Sequence, residues 1–378
     1  MKIAIDLTQI PDKLTGVGFY MENLVKALAL IDASNDYIIF VRKPTKGYFK
    51  VDQPNFKYII IPTYPMPLRV LWEQLALPLR LLAQRCVVLH SPHYTTPLLG
   101  WWFKRVVTFP DLTFYLFPQM HQKFKTVYFQ AMMRLSSRIA DAIISISYST
   151  SQDIARIFIT PAGKINTIHL AASSIYRADI PGGDIRQILG KYGIPEKYIL
   201  YVGTIEPRKN ILGLVKAYLA SSPTLKAQYK LVIVGKKGWH YAELFTFLED
   251  RQEKKDIIFT GYAQEEDLPY LFNGASLFVY PSFYEGFGIP VLEAMACGVP
   301  VITSNISSMP EVVGKAGLLV DPNNHKEISS AMEKALTDVA LREKMRTEGL
   351  KQEKQFSWEK CAGETLRVYE KVVRGGKK

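Results

Sequence analysis

Along the chain, short apolar runs rich in isoleucine and valine alternate with longer stretches whose apolar residues recur at helical spacing. Runs such as YILYV (198–202) and LVIV (231–234) are apolar at every position. Strands buried on both faces of a parallel sheet need that pattern, whereas a half-exposed strand would alternate. The pattern predicts strands at 2–7, 37–41, 57–61, 87–90, 106–109 and 142–146, and a second series at 198–202, 230–234, 257–259, 277–280, 299–303 and 317–320. Two such series, each interleaved with helices, predict an α/β protein of two doubly wound, Rossmann-like parallel-sheet domains. The stretch 168–183 is rich in small and turn-forming residues, which puts the boundary near residue 172 and gives domains 1–172 and 173–356. A last helical segment, about 358–373, has no place fixed by the pattern, and the final four residues, Gly375-Gly376-Lys377-Lys378, read as a frayed tail. In paired doubly wound domains the ligand is expected in the loops at the carboxyl ends of the strands.

Composition adds a bias to this picture. The 378 residues are 48% apolar and 22% charged, a globular balance, and they carry a formal charge of +12. The excess is uneven: residues 1–172 hold 19 basic and 10 acidic side chains, residues 173–356 hold 22 of each, and 357–378 hold 6 and 3. The basic half therefore points to an anionic acceptor or an anionic membrane. Nucleic acid is not expected, because no recognition motif and no basic run with interleaved stacking aromatics is present. Cys86, Cys297 and Cys361 lack CxxC spacing, which argues against a disulfide framework or a zinc site and fits a reducing, cytoplasmic compartment. The start MKIAIDLTQI has no signal-peptide core, and the most apolar stretch, 68–89, is broken by Glu73, Pro78, Arg80 and Arg85, so no spanning helix is expected. Two features suit an anionic membrane surface: the amphipathic segment 68–82, which a core helix would explain equally well, and Trp101-Trp102-Phe103-Lys104-Arg105, where aromatics adjoin cations.

Three loops carry candidate chemistry. Thr15-Gly16-Val17-Gly18-Phe19-Tyr20 follows the first strand. Its glycines allow a tight turn or close approach of the backbone to phosphate or sugar oxygens, but Met21 stands where a dinucleotide fingerprint has its third glycine. Gly203-Thr204-Ile205-Glu206-Pro207-Arg208-Lys209-Asn210 follows YILYV and sets two cations at a helix start, which calls for a compensating anion such as a pyrophosphate unless the pair is simply solvated. The third, EGFGIPVLE (285–293), spaces two carboxylates eight residues apart around Pro290, with the helix predicted to start near Gly288. Glu285 in the loop, N–H groups around Gly286, Phe287 and Gly288, and Glu293 on the helix could meet a sugar hydroxyl, a diphosphate and a ribose diol in that order.

EGFGIPVLE resembles the Glu-x7-Glu motif of retaining glycosyltransferases with the GT-B fold, in the family 4 group, and GTIEPRKN resembles that group's phosphate-binding segment. TGVGFY is similar to its N-terminal glycine loop, and LHSPHYTTP with VVTFPDLTF to its acceptor-domain loops. The resemblance implies two facing domains, a terminal helix crossing back to the first, and metal-independent transfer of a sugar from a nucleotide-diphosphate sugar. GDP-mannose is the expected donor, and a saccharide or lipid-linked saccharide of a cell-surface polysaccharide the expected acceptor, met in the cytoplasm at or near the inner membrane face. No metal or other cofactor is implied. By motif, Arg208 and Lys209 would hold the diphosphate, Glu285 the sugar hydroxyls and Glu293 the ribose; Gly16, Gly18, Gly286, Phe287 and Gly288 would line the donor site, and Asp111 would join the catalytic set. One departure stands out: the family's T-x-H-D-L reads Thr108-Phe109-Pro110-Asp111-Leu112 here, and proline has no side-chain donor. Either the Pro110 carbonyl serves, or His93 or His121 substitutes on the acceptor side, or the chain is a catalytically impaired nucleotide-sugar-binding protein. A sugar-nucleotide epimerase on the same fold is a further alternative, which the two carboxylates disfavour.

Overall fold

The computed structural model describes residues 1–12, 14, 16–239 and 241–375. Thr15 of the glycine segment and Gly376-Lys377-Lys378 of the expected tail lie outside the described residues. The chain divides into two compact units: Met1–Leu170 together with the segment from Ser357, and Ala171–Phe356.

The first unit is built on a seven-stranded sheet of β1 (Lys2–Asp6), β2 (Asp36–Arg42), β3 (Phe56–Ile61), β4 (Val88–Ser91), β5 (Lys104–Phe109), β6 (Ala142–Ser145) and β7 (Ile165–Thr167). The second has six strands: β8 (Tyr198–Val202), β9 (Lys230–Val234), β10 (Ile257–Gly261), β11 (Leu277–Tyr280), β12 (Val301–Ser304) and β13 (Leu318–Val320). The orders are β3-β2-β1-β4-β5-β6-β7 and β10-β9-β8-β11-β12-β13. The paired strands run parallel. Strand order therefore reverses between β1 and β4 and between β8 and β11, the two places where a doubly wound sheet leaves a crevice.

The twelve apolar runs are strands, with shifted edges. The run at 299–303 begins its strand only at Val301, because Pro300 has no N–H to donate and the Val299 N–H bonds back to the Ala294 carbonyl (2.9 Å). A seventh strand in the first sheet, β7, was not expected: its three residues, Ile-Asn-Thr, are half-buried at the sheet edge and lack a continuous apolar run.

The last helix, Trp358–Arg374, belongs to the first unit and packs along the helix Gly16–Ile31. Tyr20 and Trp358 stack with ring centres 6.4 Å apart, and the Tyr369 hydroxyl lies 2.7 Å from Nδ1 of buried His90. Cys361 is buried in that helix, Cys86 and Cys297 are buried elsewhere, and all three thiols are free.

The segment 66–84 is helical throughout but changes pitch: α over Met66–Leu71, π over Trp72–Ala76, α over Leu77–Gln84. Pro78 explains the wide turn, since it has no N–H and its ring would strike the carbonyl four residues earlier. One face buries Trp72, Glu73, Leu77 and Leu81; the other exposes Leu68, Leu71, Leu75, Leu79 and Leu82, each at 51–65%. It is thus neither a plain core helix nor a free amphipathic one.

Candidate active site

In the second unit the loops after β8 and β11 meet. The ends of β8 and β9 lie so close that a Cβ on Gly235 would stand 1.9 Å from the Gly203 carbonyl oxygen. Pro207–Lys209 makes a single 3-10 turn, and the helix Ile211–Ala220 starts only after Asn210, whose φ is 55°. The cations therefore precede the helix. Asn210 Nδ2 donates to the carbonyls of Pro281 (3.0 Å) and Pro322 (2.7 Å), and Phe283 N–H donates to the Arg208 carbonyl (2.9 Å), so the two loops are tied backbone to backbone.

The expectation for this cation pair needs correcting. It is not solvated, nor does it await a ligand for its first counter-charge. Arg208 donates from Nε (3.1 Å) and Nη2 (2.6 Å) to Glu206 Oε1, and from Nη1 to Glu285 Oε2 (2.9 Å) and the Tyr284 carbonyl. Lys209 Nζ donates to Glu285 Oε1 (2.7 Å) and to the Tyr280 hydroxyl, which itself donates to Glu285 Oε1 (2.9 Å). The Arg208 and Lys209 side chains are 15% and 13% exposed, those of Glu206 and Glu285 3% and 9%. Desolvating two cations is tolerable only with such partners, and two carboxylates against two cations leave the set neutral. Burial would raise the Glu285 carboxyl, but Arg208 and Lys209 outweigh it and hold it down at about 2. Burial raises Glu206 despite the same two cations, and lowers Lys209 despite Glu285.

The loop bearing Glu285 is clamped from behind. Ser307 Oγ donates to the Glu285 carbonyl (2.7 Å) and accepts from its N–H (3.1 Å), while Ser308 Oγ donates to the carbonyls of Glu285 (2.9 Å) and Phe287 (2.7 Å). Gly288 then takes φ 108° and caps the helix Ile289–Ala296, with Pro290 in its first turn as the sequence implied. A Cβ on Gly288 would stand 2.2 Å from Met309 Cε. Phe287 is buried edge-on to Phe356 (5.8 Å).

Glu293 lies on that helix, half-buried, but is not drawn into the ion-pair set. It faces Tyr176 and the charge of Glu265, and burial with that charge pushes its carboxyl up to about 8, against the Tyr176 hydrogen bond. Glu206, Tyr280, Ser307 and Ser308 were not foreseen as site residues. Only Glu206, two places from Arg208, carried a local signal.

The remaining candidates lie in the first unit. Gly16 and Gly18 are not in a loop: they form the first turn of the helix Gly16–Ile31, and neither has a positive φ. A Cβ on Gly18 would lie 2.9 Å from Leu14 Cδ2, so a larger residue there would push the Leu14 side chain aside, while one on Gly16 would meet nothing within 4 Å. Pro110 is buried just beyond β5. Asp111 Oδ1 accepts from the Tyr94 hydroxyl (2.6 Å), the Thr113 N–H (3.0 Å) and the Thr113 hydroxyl (2.8 Å), so this carboxylate fixes the loop's shape. His121 stacks on Phe114 at 4.2 Å. His93 Nδ1 lies 3.4 Å from Gln9 Oε1, and burial lowers its pKa to about 4, so its ring is neutral. In the aromatic-basic loop, Trp101 is 92% exposed, but Arg105 is buried with its guanidinium on the carbonyls of Pro97, Leu98 and Gly100, and Lys104 pairs with Asp141. Arg105 therefore holds the loop, and Lys104 ties the start of β5 to that of β6.

Residues 14–172 match the family described as Glycosyltransferase Family 4, and residues 184–352 match Glycosyl transferases group 1. The chain is 36% identical to the O-antigen chain mannosyltransferase B of Escherichia coli, over 98% of this chain and 99% of that one. It is 29% identical to the O-antigen chain mannosyltransferase RfbU of Salmonella typhimurium, over 64% and 63%. Among solved structures, the sucrose-phosphate synthase of Thermosynechococcus elongatus shares the fold with a TM-score of 0.78 at 22% identity, covering 99% and 100% of the two chains. WaaG, a glycosyltransferase involved in lipopolysaccharide biosynthesis, shares it with a TM-score of 0.75 at 14% identity, covering 97% and 99%. The two reversed parallel sheets, the clamped EGFGIPVLE loop and these matches together make the chain a glycosyltransferase with the GT-B fold, belonging to the glycosyl transferases group 1 and family 4.

Proposed function

We propose that the chain transfers mannose from GDP-mannose to a saccharide or lipid-linked saccharide acceptor, with retention of configuration, in the synthesis of a cell-surface polysaccharide. The observation that carries this reading is the contact set of Arg208, Lys209 and Glu285 at the carboxyl ends of β8 and β11, in a chain similar over its whole length to an O-antigen chain mannosyltransferase. In the proposed reaction, Arg208 and Lys209 turn from their carboxylates toward the departing diphosphate, whose growing charge they stabilise. Glu285, held ionised, accepts from hydroxyls of the transferred sugar, Glu293 accepts from the ribose, and the backbone of Gly286, Phe287 and Gly288 lines the donor. Asp111, held by Tyr94 and Thr113, shapes the loop that carries Pro110. The acceptor hydroxyl attacks from the face the diphosphate leaves and passes its proton to the departing diphosphate, and no metal is needed. The full-length likeness to a named transferase supports turnover over mere nucleotide-sugar binding.

The test is product formation with a panel of nucleotide sugars and mannoside acceptors, with the new anomeric centre assigned by NMR. Expected are GDP-mannose as the best donor, a retained configuration, little loss in chelator, and a fall of about 100-fold or more in turnover for Glu285→Gln. An inverted product, chelator inactivation or an active Glu285→Gln variant would each overturn the corresponding part.

We also propose that the protein works in the cytoplasm against the inner face of an anionic membrane. Among the described residues no helix is long and apolar enough to cross a bilayer. The exposed ridge Leu68, Leu71, Leu75, Leu79 and Leu82 supports contact at the interface. Exposed Arg80 and Arg85 adjoin it, and the only acid between residues 66 and 105 is Glu73, which is buried.

A further inference from the structure

The Glu285 loop is backed by three consecutive residues beyond the next strand. β12 ends at Ser304, and Ser307, Ser308 and Met309 come soon after it. Ser307 Oγ serves both backbone groups of one residue, donating to the Glu285 carbonyl (2.7 Å) and accepting from the Glu285 N–H (3.1 Å). Ser308, fully buried, shares its hydroxyl between the carbonyls of Glu285 (2.9 Å) and Phe287 (2.7 Å). Met309 fills the space beside Gly288 that a Cβ there would need, 2.2 Å from its Cε. The turn is thus held from behind at Glu285, Phe287 and Gly288.

Two features set this contact apart from ordinary loop packing. Ser307 has φ 58°, in the left-handed region. Asn210, the other non-glycine residue of these loops with a positive φ, is of a type that adopts it readily, whereas serine is not. Backbone conformation sets where Cβ points, and here it brings the hydroxyl onto a residue 22 positions earlier. Strain of this kind persists only where the surroundings enforce it. The second feature is direction. A trans peptide points its N–H opposite its carbonyl, and the described residues contain no cis bond. With the carbonyls of Glu285 and Phe287 turned to the serines, the N–H groups of Gly286 and Gly288 are turned away from them. The Glu285 carboxylate itself is held by Arg208, Lys209 and Tyr280. In the proposed reaction the two cations leave it for the diphosphate, while the serines, which bond the backbone, stay in place.

We propose that Ser307 and Ser308 are positioning residues for the nucleotide-sugar donor, and that Ser307 keeps its left-handed conformation for the reach of its hydroxyl. They fix the Glu285 carboxylate and the amides of Gly286 and Gly288 in one arrangement before the donor arrives, so that binding does not have to order the loop. This assignment rests on the proposed donor chemistry of that loop.

The experiment compares Ser307→Ala with Ser307→Gly in the full chain, by calorimetric titration with GDP-mannose and by melting without ligand. Both variants remove the hydroxyl, but only glycine relieves the backbone. Affinity is expected to fall about tenfold in each, the scale of one lost hydrogen bond. The glycine variant is expected to melt about 2–4 °C above the alanine variant, the scale of one relieved left-handed residue in a unit of this size. Affinity then follows the hydroxyl and stability follows φ. A merely structural role would make affinity track stability, so tighter binding by glycine than by alanine, in step with melting, overturns the assignment. Parental affinity in both variants overturns it as well, and a glycine variant that melts no higher than alanine removes the part played by strain. A parent that binds no GDP-mannose would count against the proposed donor instead. Hydrogen exchange of the ligand-free chain then decides the serines' role: exchange at the Glu285 amide is expected to quicken about tenfold in both variants with β11 unchanged, and parental exchange there refutes it.

Discussion

Glu285 and Glu293 lie eight positions apart in one motif, yet their surroundings drive them in opposite directions, to about 2 and about 8 from a common ordinary value of 4.5. The difference is not burial, which raises both, but cations: Glu285 has two in contact, Glu293 a second carboxylate nearby. Each shift has a consequence for stability. Glu285 favours the fold above its unfolded value, and that contribution is lost as pH falls from about 4.5 toward 2. Glu293 keeps its proton in the folded state while the unfolded chain has released it, so stability falls as pH rises from about 4.5 to about 8. Gln at 293 mimics the protonated form. Glu293→Gln is therefore expected to raise the melting temperature relative to the parent at pH 9 and to change it little at pH 4; the same difference at both pH values would refute the shift. None of this was legible in EGFGIPVLE alone. The motif located both acids, but Arg208 lies 77 positions before Glu285, and only the loops beyond two adjacent strands bring them together.

At the scale of elements, the parallel strands were readable because burial on both faces removes every polar position, and β7 was not because an edge strand escapes that constraint. The helical segment 66–84 was ambiguous for a specific reason: its leucines populate both faces, and the π turn ahead of Pro78 shifts the phase between them. Leu75 and Leu79, at 57% and 65% exposure, contribute little to the core. Changing both to serine is expected to leave the melting temperature within about 1–2 °C, since exposed substitutions usually alter stability by less than about 0.5 kcal/mol. Co-sedimentation with phosphatidylglycerol vesicles at low salt is expected to fall several-fold. Vesicle binding unaffected by the change, or no binding by the parent, would remove the ridge from any membrane role. The Ser307–Ser308 clamp belongs to this scale as well. It fixes carbonyls and an N–H of the Glu285 loop from a segment 22 positions later, a support that no local pattern announces.

For the whole molecule, the chain changes unit after Leu170 and returns to the first unit at Ser357. The charge asymmetry proved a poor guide to detail: in the basic half Arg105 and Lys104 are structural, and in the neutral half the cations expected to meet phosphate are already paired. Ligand linkage reads the second unit directly, since a nucleotide bound only by the folded form adds about 2.7 kcal/mol at a hundredfold excess over its dissociation constant. GDP is expected to raise the transition of that unit by a few degrees, more than UDP or ADP at equal concentration; a larger shift with UDP or ADP would reassign the donor base. A chain of two units is best followed by separate transitions. The placement of the helix Trp358–Arg374 against Gly16–Ile31 has one more consequence, for synthesis. The first unit begins the chain but lacks Tyr369 for His90 and Trp358 for Tyr20 until those residues leave the ribosome, whereas the second unit is complete at Phe356. During translation the middle of the protein is therefore free to mature first, and its beginning waits, partly uncovered, for the last helix to be made.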